Sequence, residues 1–335
     1  MKWTTLHQPL SSYRPFIFAG HFYFLAMLVL SIVYYQERML AMDTAYYTFK
    51  VITHESFFAG HGRTMSYVPQ VFPLLAMKLG WSLKGVIMAY SAGIVLCYYA
   101  VYNIIVYLFR NPHAGILLAL ALGLTVRYKF YAPVGESVVA MAPLILFAAW
   151  LTKPKNAFEK WPAWLDVGVG IGLGILLLGS HPFVTISTAV VLGFILLWQR
   201  EWLNPRFWII SLVTGGLLLK TYVFVERNAY EAERANRLLE AWSVLSNLND
   251  YYISSIIWRY FDTQYTFPLV IFLLSLGLLI WHKRILAAIY VLLSFLAILA
   301  IIMVTHAYMT SNIYNMVDGY LGYLGFTMGL PLAFQ

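Results

Sequence analysis

The chain is built from long unbroken apolar runs separated by shorter polar stretches. The runs are Phe16 to Tyr35, Gly85 to Phe109, Ala114 to Val126, Ser137 to Leu151, Val167 to Gly179, Phe183 to Trp198, Phe207 to Phe224, Pro268 to Trp281, Ile285 to Val304 and Leu321 to Phe334. About 20 apolar residues cross the hydrocarbon layer as a helix, and fewer suffice where a helix is shielded by protein. The pattern therefore predicts an all-α, polytopic integral membrane protein of about 10 transmembrane helices. An outer-membrane barrel is a poor fit, because its strands alternate over about ten residues instead of running apolar throughout. The first run is too long for the apolar part of a signal peptide, and no small-x-small cleavage site follows it, so it reads as a retained first span.

Loop charge sets the orientation. With the N-terminus inside, the inner segments hold Lys2, Arg14, Arg110, Lys153, Lys155, Lys160, Arg200, Arg206, Lys283 and Arg284, against the acids Glu159, Asp166 and Glu201. The remaining charges are nearly balanced and fall mainly in two long outer segments, about 36–84 and about 226–267. Loops of that length in a compact protein carry function or structure of their own. In the second, Arg227 and Glu231, and Glu233 and Arg237, stand four apart and can pair on a helix face. Leu238, Trp242 and Leu245 form an apolar stripe beside them, which predicts an amphipathic helix at the outer interface. The whole of 1–335 reads as one transmembrane domain.

Composition agrees with this picture. Hydrophobic residues make up 61% of the 335 and charged residues only 11%, which excludes an ordinary soluble enzyme and a disordered chain. The net charge of +8 comes without a basic stripe or nucleic-acid motif, so it is assigned to the positive-inside bias, and no nucleic-acid partner is expected. Cys97 is the lone cysteine and permits no intrachain disulfide.

The first outer segment holds most of the candidate chemistry. It reads "QERMLAMDTAYYTFKVITHESFFAGHGRTMSYVPQ" and contains Glu37, Asp43, Glu55, Lys50, Arg63, His54 and His61. Asp43 opens a stretch of helical character. It suits an N-cap, which accepts the free amides of a first turn, and equally a general base held rigidly just outside the membrane. Arg63, Arg127 and Lys129 are outer cations near span ends. Each either snorkels to headgroups or offers a charge to a phosphate, for which the arginine fork is well shaped. Glu136, at the start of a span, suits the helix dipole or a sugar hydroxyl. His181 in "GSHPF" is a turn residue or a phosphate or sugar contact. His21, within the first span, is expected to bond to a neighbouring helix. The histidines show no spacing of the H-E-x-x-H kind, and no metal site is assigned.

A first span followed at once by an acidic outer loop, "Asp-x-x-Tyr-Tyr" from Asp43 to Tyr47, an amphipathic stretch, "GHGR" and a proline-containing apolar segment resembles the GT-C superfamily of membrane glycosyltransferases. The resemblance covers roughly the first 200 residues. It implies an enzyme, a short or truncated member of that superfamily, that moves a sugar from a polyprenyl-phosphate carrier to an acceptor hydroxyl on a glycan, lipid or protein. Family members often carry two adjacent acids in this loop. Here Met42 and Thr44 flank Asp43, so the pair is absent, metal dependence stays open, and the base is Asp43 or Glu55. On this reading Arg63, Arg127, Lys129, Glu136 and His181 contact the carrier phosphate or the sugar. The setting implied is a cell envelope: a bacterial inner membrane with a periplasmic site, or an endoplasmic-reticulum membrane with a luminal one. The alternative is a transporter or lipid flippase without covalent chemistry.

Overall fold

Apolar runs that lack interior breakers become helices, and the computed structural model shows helices almost throughout. It describes residues 10–60, 63–123, 130–131, 133–134, 139–154, 157–221, 232–233, 236–308 and 313–334. The fold is all-helical, 84% helix with no strands among the described residues. The helices are α1 (Arg14–Val33), α2 (Tyr35–Met39), α3 (Met42–His54), α4 (Tyr67–Lys78), α5 (Leu83–Asn103), α6 (Pro112–Gly123), α7 (Met141–Leu151) and α8 (Ala163–Leu176). They continue with α9 (Val184–Gln199), α10 (Pro205–Leu219), α11 (Ala241–Ser246), α12 (Tyr252–Thr263), α13 (Thr266–Trp281), α14 (Ile285–Thr305) and α15 (Ile313–Phe334).

Local chemistry sets several of the starts. Pro15 sits in the first turn of α1, where its missing N–H costs nothing. The Ser82 hydroxyl caps α5 by accepting from the Gly85 amide. At α10 the Asn204 side-chain oxygen accepts from the Arg206 and Phe207 amides, and Pro205 follows it.

The expectation of about ten spans is corrected. Among the described residues, three helical stretches are long and apolar enough to cross a membrane: Arg14–Val33, Leu83–Leu108 and Ile285–Thr305. A fourth forms only if α12 and α13, bent by 79° at a short break, count as one broken span. Five further apolar helices, Pro112–Gly123, Met141–Leu151, Ala163–Gly179, Val184–Gln199 and Pro205–Leu219, are shorter than 18 residues. At 1.5 Å per residue the 11 residues of α7 extend only about 17 Å, well short of a hydrocarbon layer of about 30 Å. Apolarity alone does not supply length.

The chain forms two compact bodies. One comprises Met1–Ala119 with Phe130–Ser180, and the other Leu120–Lys129 with His181–Gln335. In the first body, α1 packs on α5 through Gly20. A Cβ there would lie 2.2 Å from the Tyr102 hydroxyl, which instead donates to the Ile17 carbonyl at 2.9 Å. His21 bonds to Tyr99 at 2.8 Å and Tyr107 at 2.6 Å, and Tyr107 lies in the π-helical turn Ile104–Leu108 that follows α5. In the second body, Tyr290 of α14 donates to the Ala189 carbonyl of α9 at 2.8 Å, against the bare backbone of Gly193.

The second long segment holds α11, α12 and short 3-10 turns instead of one continuous amphipathic helix. Leu238, Trp242 and Leu245 are all exposed, while Val244 between them is buried with Val304 and Ala307. Glu233 pairs with Arg237 as the spacing suggests. Arg227 and Glu231 lie outside the described residues.

Candidate functional site

Among the described residues, the segment 36–84 holds α2 from Gln36 on, α3 and α4, in the first body. Asp43 is exposed in the first turn of α3. It is not the N-cap, since Ala41 holds that position in an extended conformation with no side-chain cap. The Asp43 carboxylate therefore keeps the favourable field of the helix N-terminus and remains available to a ligand.

Behind Asp43 the helix turns a polar face inward. Thr44, Tyr47 and Thr48 are buried with Val51, three or four residues apart on one side of α3. Among the described residues, the Thr44 and Thr48 hydroxyl oxygens have no hydrogen-bond partner. Buried hydroxyls are normally satisfied, and each of these two, one turn apart, retains a donor and acceptor lone pairs to offer. Tyr47 joins the candidate acid to the candidate cation, because the charges of Asp43 and Arg63 both act on its hydroxyl. Burial pushes the Tyr47 hydroxyl up to about 12, with Arg63 pulling it down and Asp43 raising it further. The hydroxyl is a neutral donor at physiological pH.

Arg63 ends the turn after α3 and is 8% exposed. A snorkelling arginine keeps its head in water, so this burial fits a packed role better. Its carbonyl accepts from the Ser66 hydroxyl at 2.9 Å, which fixes the turn into α4. The preceding loop is tied by Gln70, buried on α4. Its side-chain oxygen accepts from the Phe58 amide at 2.8 Å, and its amide donates to the Phe58 carbonyl at 2.6 Å. Phe58 packs edge-on against Tyr46 and Tyr47, and the Lys50 ammonium sits 5.7 Å from the Tyr46 ring.

Glu55 lies elsewhere. It terminates α3 in the left-handed region at φ 47°, exposed. At 1.5 Å per residue it is about 18 Å along the helix from Asp43, so the structure does not bring the two acids together. His181, in the second body, accepts from the Phe183 amide at 3.1 Å through Nδ1 and shapes the turn into α9. Arg127, Lys129, Glu136 and His61 lie outside the described residues. Among the described residues, no three His, Cys, Asp or Glu side chains gather to hold a metal.

Sequence reasoning missed Arg38, on α2 just after the first span. It is 1% exposed. Its Nε donates to Ser91 at 2.9 Å, its Nη1 donates to the Phe130 carbonyl at 2.8 Å, and its guanidinium lies 4.6 Å from the Phe130 ring centre. No carboxylate among the described residues pairs with it, and burial pushes its guanidinium down to about 10, opposed by Tyr98 and Tyr23. A charged residue within one turn of an apolar run was the available signal, since ionisable groups at such depth seldom lack a purpose.

Comparison with protein-family models, with curated proteins and with solved structures finds no match to this chain.

Proposed function

We propose that this chain is a membrane-embedded inverting glycosyltransferase that moves a sugar from a polyprenyl-phosphate carrier to an acceptor hydroxyl, with Asp43 as general base. The observation that carries the reading is the inner face of α3, where orphaned Thr44 and Thr48 hydroxyls flank Tyr47 between an exposed acid and a buried arginine. Hydroxyl-rich ligands satisfy such groups. The three long apolar helices support membrane placement, and the acid follows the first of them directly. Several large side chains on α1, α13 and α14 are exposed, Phe18 and Leu286 among them, as lipid-facing positions require.

In this reaction the bond between the anomeric carbon and the carrier phosphate oxygen breaks. The acceptor oxygen forms the new bond from the opposite face, which inverts the anomeric centre. The acceptor proton passes to the Asp43 carboxylate. Arg63 supplies positive charge for the phosphate that leaves on its polyprenyl chain. Tyr47, neutral, lies within the field of both charges.

One observation favours the alternative of a transporter or flippase: the break between α12 and α13, since transport folds use broken spans near their sites. The test incubates purified full chain with polyprenyl-phosphate hexoses and membrane extract as acceptor, and follows release of free polyprenyl phosphate. Release supports the transferase. Movement of the intact carrier across a vesicle bilayer without release supports the alternative.

A further inference from the structure

The second body carries a cluster of cations that the proposed reaction does not use. The α9 helix ends at Arg200, in the left-handed region at φ 58°. The turn between α13 and α14 holds Lys283, also at φ 58°, and then Arg284. The α9 and α14 helices pack together, with Tyr290 bonded across the contact. That packing sets the Arg284 guanidinium 5.2 Å from the ring centre of Trp198, two residues before Arg200. Burial first, and then the charge of Arg200, push Arg284 below the usual arginine range, so the two guanidiniums feel each other. Glu201, next to Arg200, accepts from the Asn204 side chain at 2.6 Å. Among the described residues, neither Arg200 nor Lys283 is in an ion pair.

A second observation is independent of charge. The Trp198 indole N–H is buried and, among the described residues, has no acceptor. An indole N–H can only donate, as can the Arg200 guanidinium and the Lys283 ammonium, so these groups suit an oxyanion. Next to them, Leu203 is 94% exposed and Trp281 is 82% exposed. Exposed tryptophan and leucine beside cations anchor a protein at the headgroup level of a bilayer.

We infer that the ends of α9 and α14, with Trp198, Arg200, Lys283 and Arg284, form a binding site for the phosphate of an anionic phospholipid headgroup. The site rests on the membrane placement proposed above and is independent of the transfer chemistry. Its charge sign suits the inner leaflet.

The test uses the full chain in detergent, with phosphatidylglycerol and phosphatidylcholine added at equal concentration and bound lipid counted by native mass spectrometry. Each cation near an acidic headgroup contributes about fivefold in affinity, so two give a preference for phosphatidylglycerol of about 25-fold. Arg200→Gln with Arg284→Gln is expected to bring the preference close to parity. Lys283→Gln, which touches no packed contact, is expected to lower it partly, and serves if the double variant does not fold. Equal binding of both lipids by the wild-type chain overturns the inference, as does a preference that survives in these variants. Full displacement of the lipid by inorganic phosphate also overturns it, by showing a free-anion site. Flotation with phosphatidylcholine vesicles separates the two readings. A chain that floats but shows no lipid preference keeps its membrane placement and loses this site.

Discussion

The Nε of Arg38 donates to the Ser91 hydroxyl at 2.9 Å, and Ser91 in turn donates to the Ser31 carbonyl at 2.7 Å, joining α2, α5 and α1 in one buried chain of hydrogen bonds. Lysine lacks the planar fork that lets Arg38 also hold the Phe130 carbonyl while stacking on its ring. Arg38→Lys is therefore expected to cost about 2 kcal/mol of stability, and Ser91→Ala about 1 kcal/mol. Together they should cost less than the sum, because both remove the same bond. Thermal denaturation of the four proteins of this cycle in detergent measures it, and additive losses would mean that the two side chains act separately.

Two glycines separate close packing from simple helix propensity. A Cβ on Gly93 would lie 2.7 Å from the Phe72 Cβ, close to the backbone of α4, so the helix itself must move. Gly93→Ala is expected to cost about 1–3 kcal/mol through overpacking of α4 on α5. Gly168, within α8, has nothing within 4 Å of its added Cβ. There alanine is expected to stabilise the chain by about 0.5–1 kcal/mol, since helix propensity is all that changes. Melting temperatures that move in the same direction for both would refute this packing account.

Tyr47 predicts a pH dependence. Its folded-state value is raised to about 12, above the ordinary 10, first by burial. A raised value favours the neutral hydroxyl, so the stability it contributes is complete below pH 10 and is lost as pH rises from 10 through about 12. Tyr47→Phe cannot ionise. Unfolding measured from pH 8 to pH 12 should show a smaller alkaline loss in Tyr47→Phe than in the wild type, and equal losses would remove Tyr47 from the linkage.

The orphaned hydroxyls on α3 set stability against function. Thr48→Val keeps the shape and removes an unsatisfied buried polar group, which is expected to stabilise the chain by about 1–2 kcal/mol. If a sugar satisfies that hydroxyl during turnover, the same change raises KM for the carrier. Thr53→Val serves as the control, because Thr53 already donates to the Phe49 carbonyl at 2.7 Å. A Thr48→Val protein with unchanged stability and unchanged KM would mean that the hydroxyl finds a solvent partner.

The helices were legible in the sequence because apolar runs and their boundaries are local. The run expected at Ile285 to Val304 forms Ile285–Thr305, and that expected at Phe16 to Tyr35 forms Arg14–Val33. The number of spans was not legible, because hydropathy reports what a helix buries and not whether it is long enough to cross. Asp43 was found by its place after the first span, but its relation to Tyr47 and Arg63 depends on how the turn before α4 folds back. Arg38 and the inward Thr44 and Thr48 were missed for the same reason. Arg38 meets Ser91 of α5, 53 residues on, and α3 packs on α4, which begins 19 residues after Thr48, so the depth of their burial depends on partners distant in the chain.

The central claim is that Asp43 takes the acceptor proton. The direct measurement is single-turnover release of polyprenyl phosphate by purified Asp43→Asn, beside wild type and Glu55→Gln, with folding checked by melting temperature. Loss of a general base costs about 10²- to 10⁴-fold in rate. Asp43→Asn should lose at least that much while melting like the wild type, and Glu55→Gln, at the far end of α3, should keep its rate. Full turnover by Asp43→Asn would contradict the account.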